Sequence, residues 1–210
     1  MPPESIQTTM PLFPLGTVMY PGGLLNLQIF EVRYLELIRK CLQEKTPFGV
    51  VSLIDGAEVR SPQEKVRLAH LGTLVEIEHC ENMTPTLLKV RAVGTQRFEL
   101  LSAVQRPNGL WVGEIRHLEP ELAVQVPEHL KECADLLAQL VESLEERVAL
   151  ADEAFPIKQP FQFTDCAWVA NRWCELLPIE KPTRLQLLAL DNPLIRLELI
   201  SDILDAQGML

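Results

Sequence analysis

The chain lacks any run of the roughly 18 uninterrupted apolar residues that a membrane-spanning helix takes. Its opening residues, Met1-Pro2-Pro3-Glu4-Ser5, have no basic cluster leading into an apolar stretch, so no secretory signal is expected. Cysteine is sparse and odd in number, five in 210 residues, with no Cys-x-x-Cys pair. That disfavours a disulfide framework and a zinc ribbon alike. Cys41, Cys133, Cys166 and Cys174 fall beside apolar residues in helical patterns and read as small core fillers. A reduced, cytoplasmic compartment is expected. The four histidines, at 70, 79, 117 and 129, make no His-Glu-x-x-His pairing. His79-Cys80-Glu81 lies in a strand pattern whose side chains alternate between faces, a poor chelate. No metal and no other cofactor is expected.

Signatures of catalysis are missing too. Neither Gly-x-x-x-x-Gly-Lys-[Ser/Thr] nor Gly-x-Gly-x-x-Gly occurs, which argues against an ATPase. There is no Gly-x-Ser-x-Gly elbow, and Glu145-Glu146 sits in a polar helical pattern as a solvated face rather than an acid–base pair. The expectation is a protein that is not an enzyme. An unrecognised hydrolase stays open as an alternative. It would need convergent polar groups with shifted pKa values in a pocket.

What is present is an uneven charge. Nineteen basic against twenty-nine acidic residues give a net charge of −10. Residues 1–118 balance, 12 against 12, whereas residues 119–210 carry 7 against 17. An acidic surface repels phosphate backbones, so nucleic acid is an unfavoured partner. Residue 119 is also where the hydrophobic period changes. Before it, Leu71–His79, Leu87–Val93, Phe98–Val104 and Leu110–Leu118 alternate as strands, with turns expected at Gly94 and at Pro107-Asn108-Gly109. Met10–Leu15, broken by Pro11 and Pro14, reads as an edge strand or strand entry, and Phe48–Ile54 as a further strand. One helix interrupts them: Val32, Leu35, Ile38 and Leu42 recur at helical spacing. After residue 127 every pattern is helical. Thr164 or Asp165 is placed to cap one helix, and Asn192-Pro193 to start the last. The expected architecture is α+β: residues 1–118 form an antiparallel β pseudo-barrel with one inserted helix, and residues 119–210 an acidic four-helix bundle.

One loop is too apolar for a loop. Three of the seven phenylalanines fall in Phe-Pro-Ile-Lys-Gln-Pro-Phe-Gln-Phe, residues 155–163. Either these rings wedge between the two parts of the chain, or they form a lip that grips apolar segments of other proteins. Phe155, Ile157, Phe161 and Phe163 are the first peptide-binding candidates. Phe13 and Phe30 are assigned to the core.

A family resemblance adds to this reading. Pro11-Leu12-Phe13-Pro14-Leu15-Gly16, Tyr20-Pro21-Gly22 and Leu27-x-Ile29-Phe30-Glu31-x-Arg33-Tyr34 resemble the opening signature of the Lon protease N-terminal domain. Phe48-Gly49-Val50-Val51, Gly72-Thr73-Leu74-Val75-Glu76-Ile77 and Gly94-Thr95-Gln96-Arg97-Phe98 follow in order, then Leu185-Gln186-Leu187-Leu188 and Arg196-Leu197-Glu198. Val32 stands where that signature usually has proline. The resemblance implies a PUA-like barrel followed by helices, able to bind unfolded or flexible polypeptide segments. It adds Arg33 and Tyr34 as candidates, although Arg33 also suits a structural tie. It implies a full protease or a chaperone as a further partner, while the family's ATPase and Ser–Lys peptidase modules have no counterpart in residues 1–210. PUA-like barrels also bind RNA, and that alternative predicts a basic patch of Lys65, Arg67, Arg91 and Arg97.

Overall fold

The structure, a computed structural model, describes residues 7–56, 66–151 and 155–210. It is an α+β fold with a mixed six-stranded sheet and, among the described residues, five α-helices. The chain divides into two compact units, Met1–Pro120 and Glu121–Leu210.

The first unit holds β1 (Gln7–Leu15), β2 (Leu24–Ile29), α1 (Val32–Glu44), β3 (Phe48–Asp55), β4 (Arg67–Thr84), β5 (Leu87–Gln105) and β6 (Trp111–His117). The strand order is β2-β5-β4-β3-β1-β6, and β6 also pairs with β5. The expectation of a wholly antiparallel set is corrected here. β1 runs parallel to β3, with Leu12 opposite Gly49 and Leu15 opposite Ser52. A parallel pair needs a long crossover, and β2 with α1 supplies it. Nor is β1 an edge strand: β6 pairs with its first part, Gln7–Leu12, and β3 with its last, Leu12–Leu15. Pro11 and Pro14 each fall where β1 has a neighbour on one side only, so each has a side on which no ladder bond is due.

Gly94 is not a turn. It lies inside β5, which continues from Leu87 to Gln105 and serves β2 with its first part and β6 with its second. Gly94 exchanges hydrogen bonds with the Pro21–Gly23 turn: Gly22 N–H donates to its carbonyl at 2.8 Å and its own N–H to Gly23 O at 2.9 Å. A Cβ at this position would collide with the Tyr20 carbonyl oxygen. Register shifts along β4–β5 and β5–β6 coil these long strands, as bulges do.

The helix α1 lays Tyr34, Leu35, Leu37, Ile38 and Cys41 into a core with residues such as Phe13, Leu25, Phe48 and Val90. Phe13 stacks on Tyr34, ring centroids 4.1 Å apart. The buried arc centres on Tyr34, Ile38 and Cys41, a helical phase that turns Val32 to the far side and leaves Leu42 at the rim. Val32 and Leu42, expected on the apolar stripe, are exposed.

The second unit opens with a 3₁₀ turn, Glu128–Leu130, leading into α2 (Lys131–Ala151), then α3 (Cys166–Leu176), α4 (Lys181–Ala189) and α5 (Pro193–Ala206). Asp165 caps α3 by accepting from Trp168 N–H at 2.8 Å, and Asn192 caps α5 by accepting from Leu194 N–H at 3.0 Å. α3 is buried on every side from Cys166 to Cys174. Trp173 fixes it to α2 by donating its indole N–H to the Cys133 carbonyl at 3.0 Å. Arg196 of α5, fully buried, donates to the Leu187 carbonyl at 2.9 Å, to Asn171 Oδ1 at 2.6 Å, and to Glu121 and the Leu190 carbonyl. A buried guanidinium is tolerable only with such a full set of acceptors.

Candidate functional site

The β2–α1 junction of the first unit presents apolar side chains to solvent. Along β2, Leu25 and Ile29 face the core, while Asn26 and Gln28 face out. Phe30 is the next residue of that outward series, and it is 61% exposed. Val32, the first residue of α1, is 69% exposed. Between them Glu31 pairs with Arg33 at 2.8 Å. Arg33 is buried, donates to the Gly109 carbonyl at 2.8 Å and lies over the Tyr34 ring at 4.5 Å. This tie brings the β5–β6 hairpin to the junction, and Val104, on the β5 arm of that hairpin, is also exposed. Phe30 is therefore no core residue, as it was expected to be; Phe13 is one. The signal that finds Phe30 is plain alternation, since it shares a face with Asn26 and Gln28.

The other candidates are placed less openly. Tyr34 and Ile157 are buried along with Arg33, and Phe155, Phe161 and Phe163 are half-buried. The three rings form a row: Phe155 to Phe161 is 5.9 Å between centroids, Phe161 to Phe163 5.6 Å, and Phe163 meets Trp168 edge-on at 5.1 Å. Arg172 stands 5.8 Å above the Trp168 ring. Within its own unit the loop thus packs ring on ring against α3.

A cavity of about 220 Å³ opens between the end of α1 and β4, lined by Cys41, Leu42, Lys45, Thr46, Glu76 and Ile77. Its cysteine is no nucleophile in waiting. Burial pushes the Cys41 thiol up, as it does Cys80 and Cys133, and Cys166 rises to about 11. A reactive cysteine needs a lowered pKa. Glu175 is pushed up to about 7 by burial, opposed by Arg172, which donates to it at 2.9 Å. That carboxylate belongs to a pair within the second unit. Among the described residues no group of three or more His, Cys, Asp or Glu is placed to hold a metal ion. Of the four residues expected in a basic patch, Arg97 is buried, Arg67 pairs with Asp55 at 2.8 Å, Arg91 lies 4.0 Å from Glu78, and Lys65 falls outside the described residues. No described helix is long and apolar enough to cross a membrane.

Two solved structures match this chain over nearly its whole length. A Lon N-terminal domain protein from Xanthomonas campestris is 34% identical with a TM-score of 0.71, over 93% of this chain and 98% of that one. The N-terminal domain of Mycobacterium avium complex Lon protease shares the fold alone, at 14% identity and a TM-score of 0.58 over 93% of this chain and 97% of that one. Protein cereblon from Xenopus tropicalis is 31% identical over 123 residues, 56% of this chain, and that from Gallus gallus 31% over 114 residues, 52% of this chain. The chain spans about a quarter of the length of these relatives, 25% and 24%. The family model for the substrate-binding domain of ATP-dependent protease La (Lon) matches residues 9–206, and the chain belongs to that family.

Proposed function

We propose that this chain is a non-catalytic module that binds segments of other polypeptides through exposed apolar side chains. The observation that carries this reading is the pair Phe30 and Val32, each more than half exposed at one junction of a substrate-binding-family domain. Burying one such side chain fully contributes about 1.5–3 kcal/mol. Two of them, less the cost of association, support weak and reversible capture rather than a tight complex. The ring of pairings β5–β4–β3–β1–β6–β5 is read as the PUA-like pseudo-barrel, and α2 to α5 as the four-helix bundle. The half-buried rings of Phe155, Phe161 and Phe163 serve as a second contact surface. Unfolded or flexible segments are the clients, and a full protease or a chaperone is the partner that would receive them. Five free thiols suit a reduced compartment such as the cytoplasm.

The test is binding of a permanently unfolded protein, fluorescently labelled reduced and carboxymethylated lactalbumin, followed by anisotropy without ATP. The double variant Phe30→Ser, Val32→Ser should bind about tenfold more weakly, since each truncation forfeits part of a ~1.5–3 kcal/mol burial. Its thermal midpoint should hold, because both side chains are exposed. Equal binding by variant and parent would remove the junction as the contact surface.

A further inference from the structure

The helix α5 is apolar on more than the side it buries. Its inner arc, Leu197, Ile200 and Leu204, is shut off from solvent. On the other side Ile195 is 44% and Leu199 40% exposed, and Ile203 is half-buried. Spaced four apart, these three form one stripe about 12 Å long at ~1.5 Å per residue. Glu198, Asp202 and Asp205, all exposed, fall along one flank of that stripe at helical spacing. The basic residue of α5, Arg196, is turned inward and bound to Asn171, Glu121 and two carbonyls. The exposed His129 stands 3.9 Å from Glu198 on this flank. The last turn of α5 has no basic residue, and Asp202 and Asp205 stand toward the negative end of the helix dipole. Carboxylates there are unfavourable for the isolated helix, and an external cation would offset them.

We propose that this face of α5 is a docking surface for an amphipathic helix of another protein, one with an aliphatic stripe bordered on one side by Lys and Arg. An exposed i, i+4, i+8 stripe is what helix-on-helix recognition uses. The carboxylate flank selects the charge of the incoming helix. It also argues against a second copy of this chain, whose own α5 brings carboxylates and no exposed base. The surface lies in the second unit, whereas Phe30 and Val32 lie in the first, so the two proposals stand separately.

The test uses the full chain and two synthetic amphipathic peptides with leucines four apart, one bordered by lysines and its twin by glutamates. Anisotropy should show the lysine peptide binding, more weakly as salt rises, and the glutamate twin not binding. The double variant Glu198→Lys, Asp202→Lys should lose about tenfold in affinity for the lysine peptide, the scale of a broken interfacial charge pair. It should gain the glutamate twin, a gain that an unfolded variant cannot give. Methyl NMR shifts on binding should centre on Ile195, Leu199 and Ile203. Equal binding of the twins, an unchanged double variant, or no binding at millimolar peptide would each overturn the proposal. Self-association in sedimentation that Leu199→Ser abolishes would assign the face to a second copy and overturn it as well.

Discussion

Glu175 shows how a single side chain can carry a pH dependence. It sits near the end of α3, 2.9 Å from the fully buried Arg172. Burial raises its carboxyl from the ordinary 4.5 to about 7, against the opposing pull of Arg172 and Arg184. A raised acid holds its proton more tightly in the folded chain than in the unfolded one. Its contribution to stability is therefore full below the unfolded value and is lost as pH rises through the folded one. Between pH 4.5 and 7 the parent should lose stability relative to Glu175→Gln, which stays neutral throughout. Urea midpoints of the two proteins across that range check this, and parallel curves would refute it. The sequence shows Glu175 only as one acid among many in residues 119–210. Its proximity to Arg172 follows from helical spacing, but its burial comes from packing. Phe30 is the opposite case: its residue type alone suggests the core, whereas alternation along β2 already points it outward.

Among the elements, β5 is the one on which the first unit turns. It pairs with β2, β4 and β6, and it passes from β2 to β6 around Gly94. The absence of a side chain there is what lets the Tyr20 carbonyl come close. Gly94→Ala should destabilise the chain by about 1–3 kcal/mol, the usual cost of overpacking a closed site. Chemical denaturation measures it; a midpoint equal to the parent's would show that the Pro21–Gly23 turn yields freely. Sequence periodicity locates most strands and helices within a few residues, because alternation and helical spacing are local. It breaks β5 in two at Gly94, since a glycine needed for close approach and a glycine needed for a turn look the same in a row of letters. It also misses that β1 and β3 run parallel, because strand direction depends on where the crossover brings the chain back. The caps are legible to within a residue, Thr164 or Asp165 for α3 and Asn192 for α5, because capping takes a few adjacent residues only, and the structure selects Asp165.

Over the whole molecule, the net charge of −10 and its concentration in residues 119–210 govern which partners approach. Labelled single-stranded RNA should show no shift with this chain even at low salt, where phosphate contacts are strongest. A retained complex that dissolves at moderate salt would revive the nucleic-acid reading of the first unit. The same acidity favours basic partners, and α5 offers them a specific place.

The residues by themselves determined the class of fold, the change from strands to helices near residue 119, the family, and the acidic second half, since each is written in local pattern, motif or count. Only the tertiary structure decided which apolar side chains face solvent. Phe30, Val32, Ile195 and Leu199 have the same composition as core residues and differ from them only in what the rest of the chain leaves uncovered. Burial is a property of neighbours far apart in sequence, and no local pattern contains those neighbours.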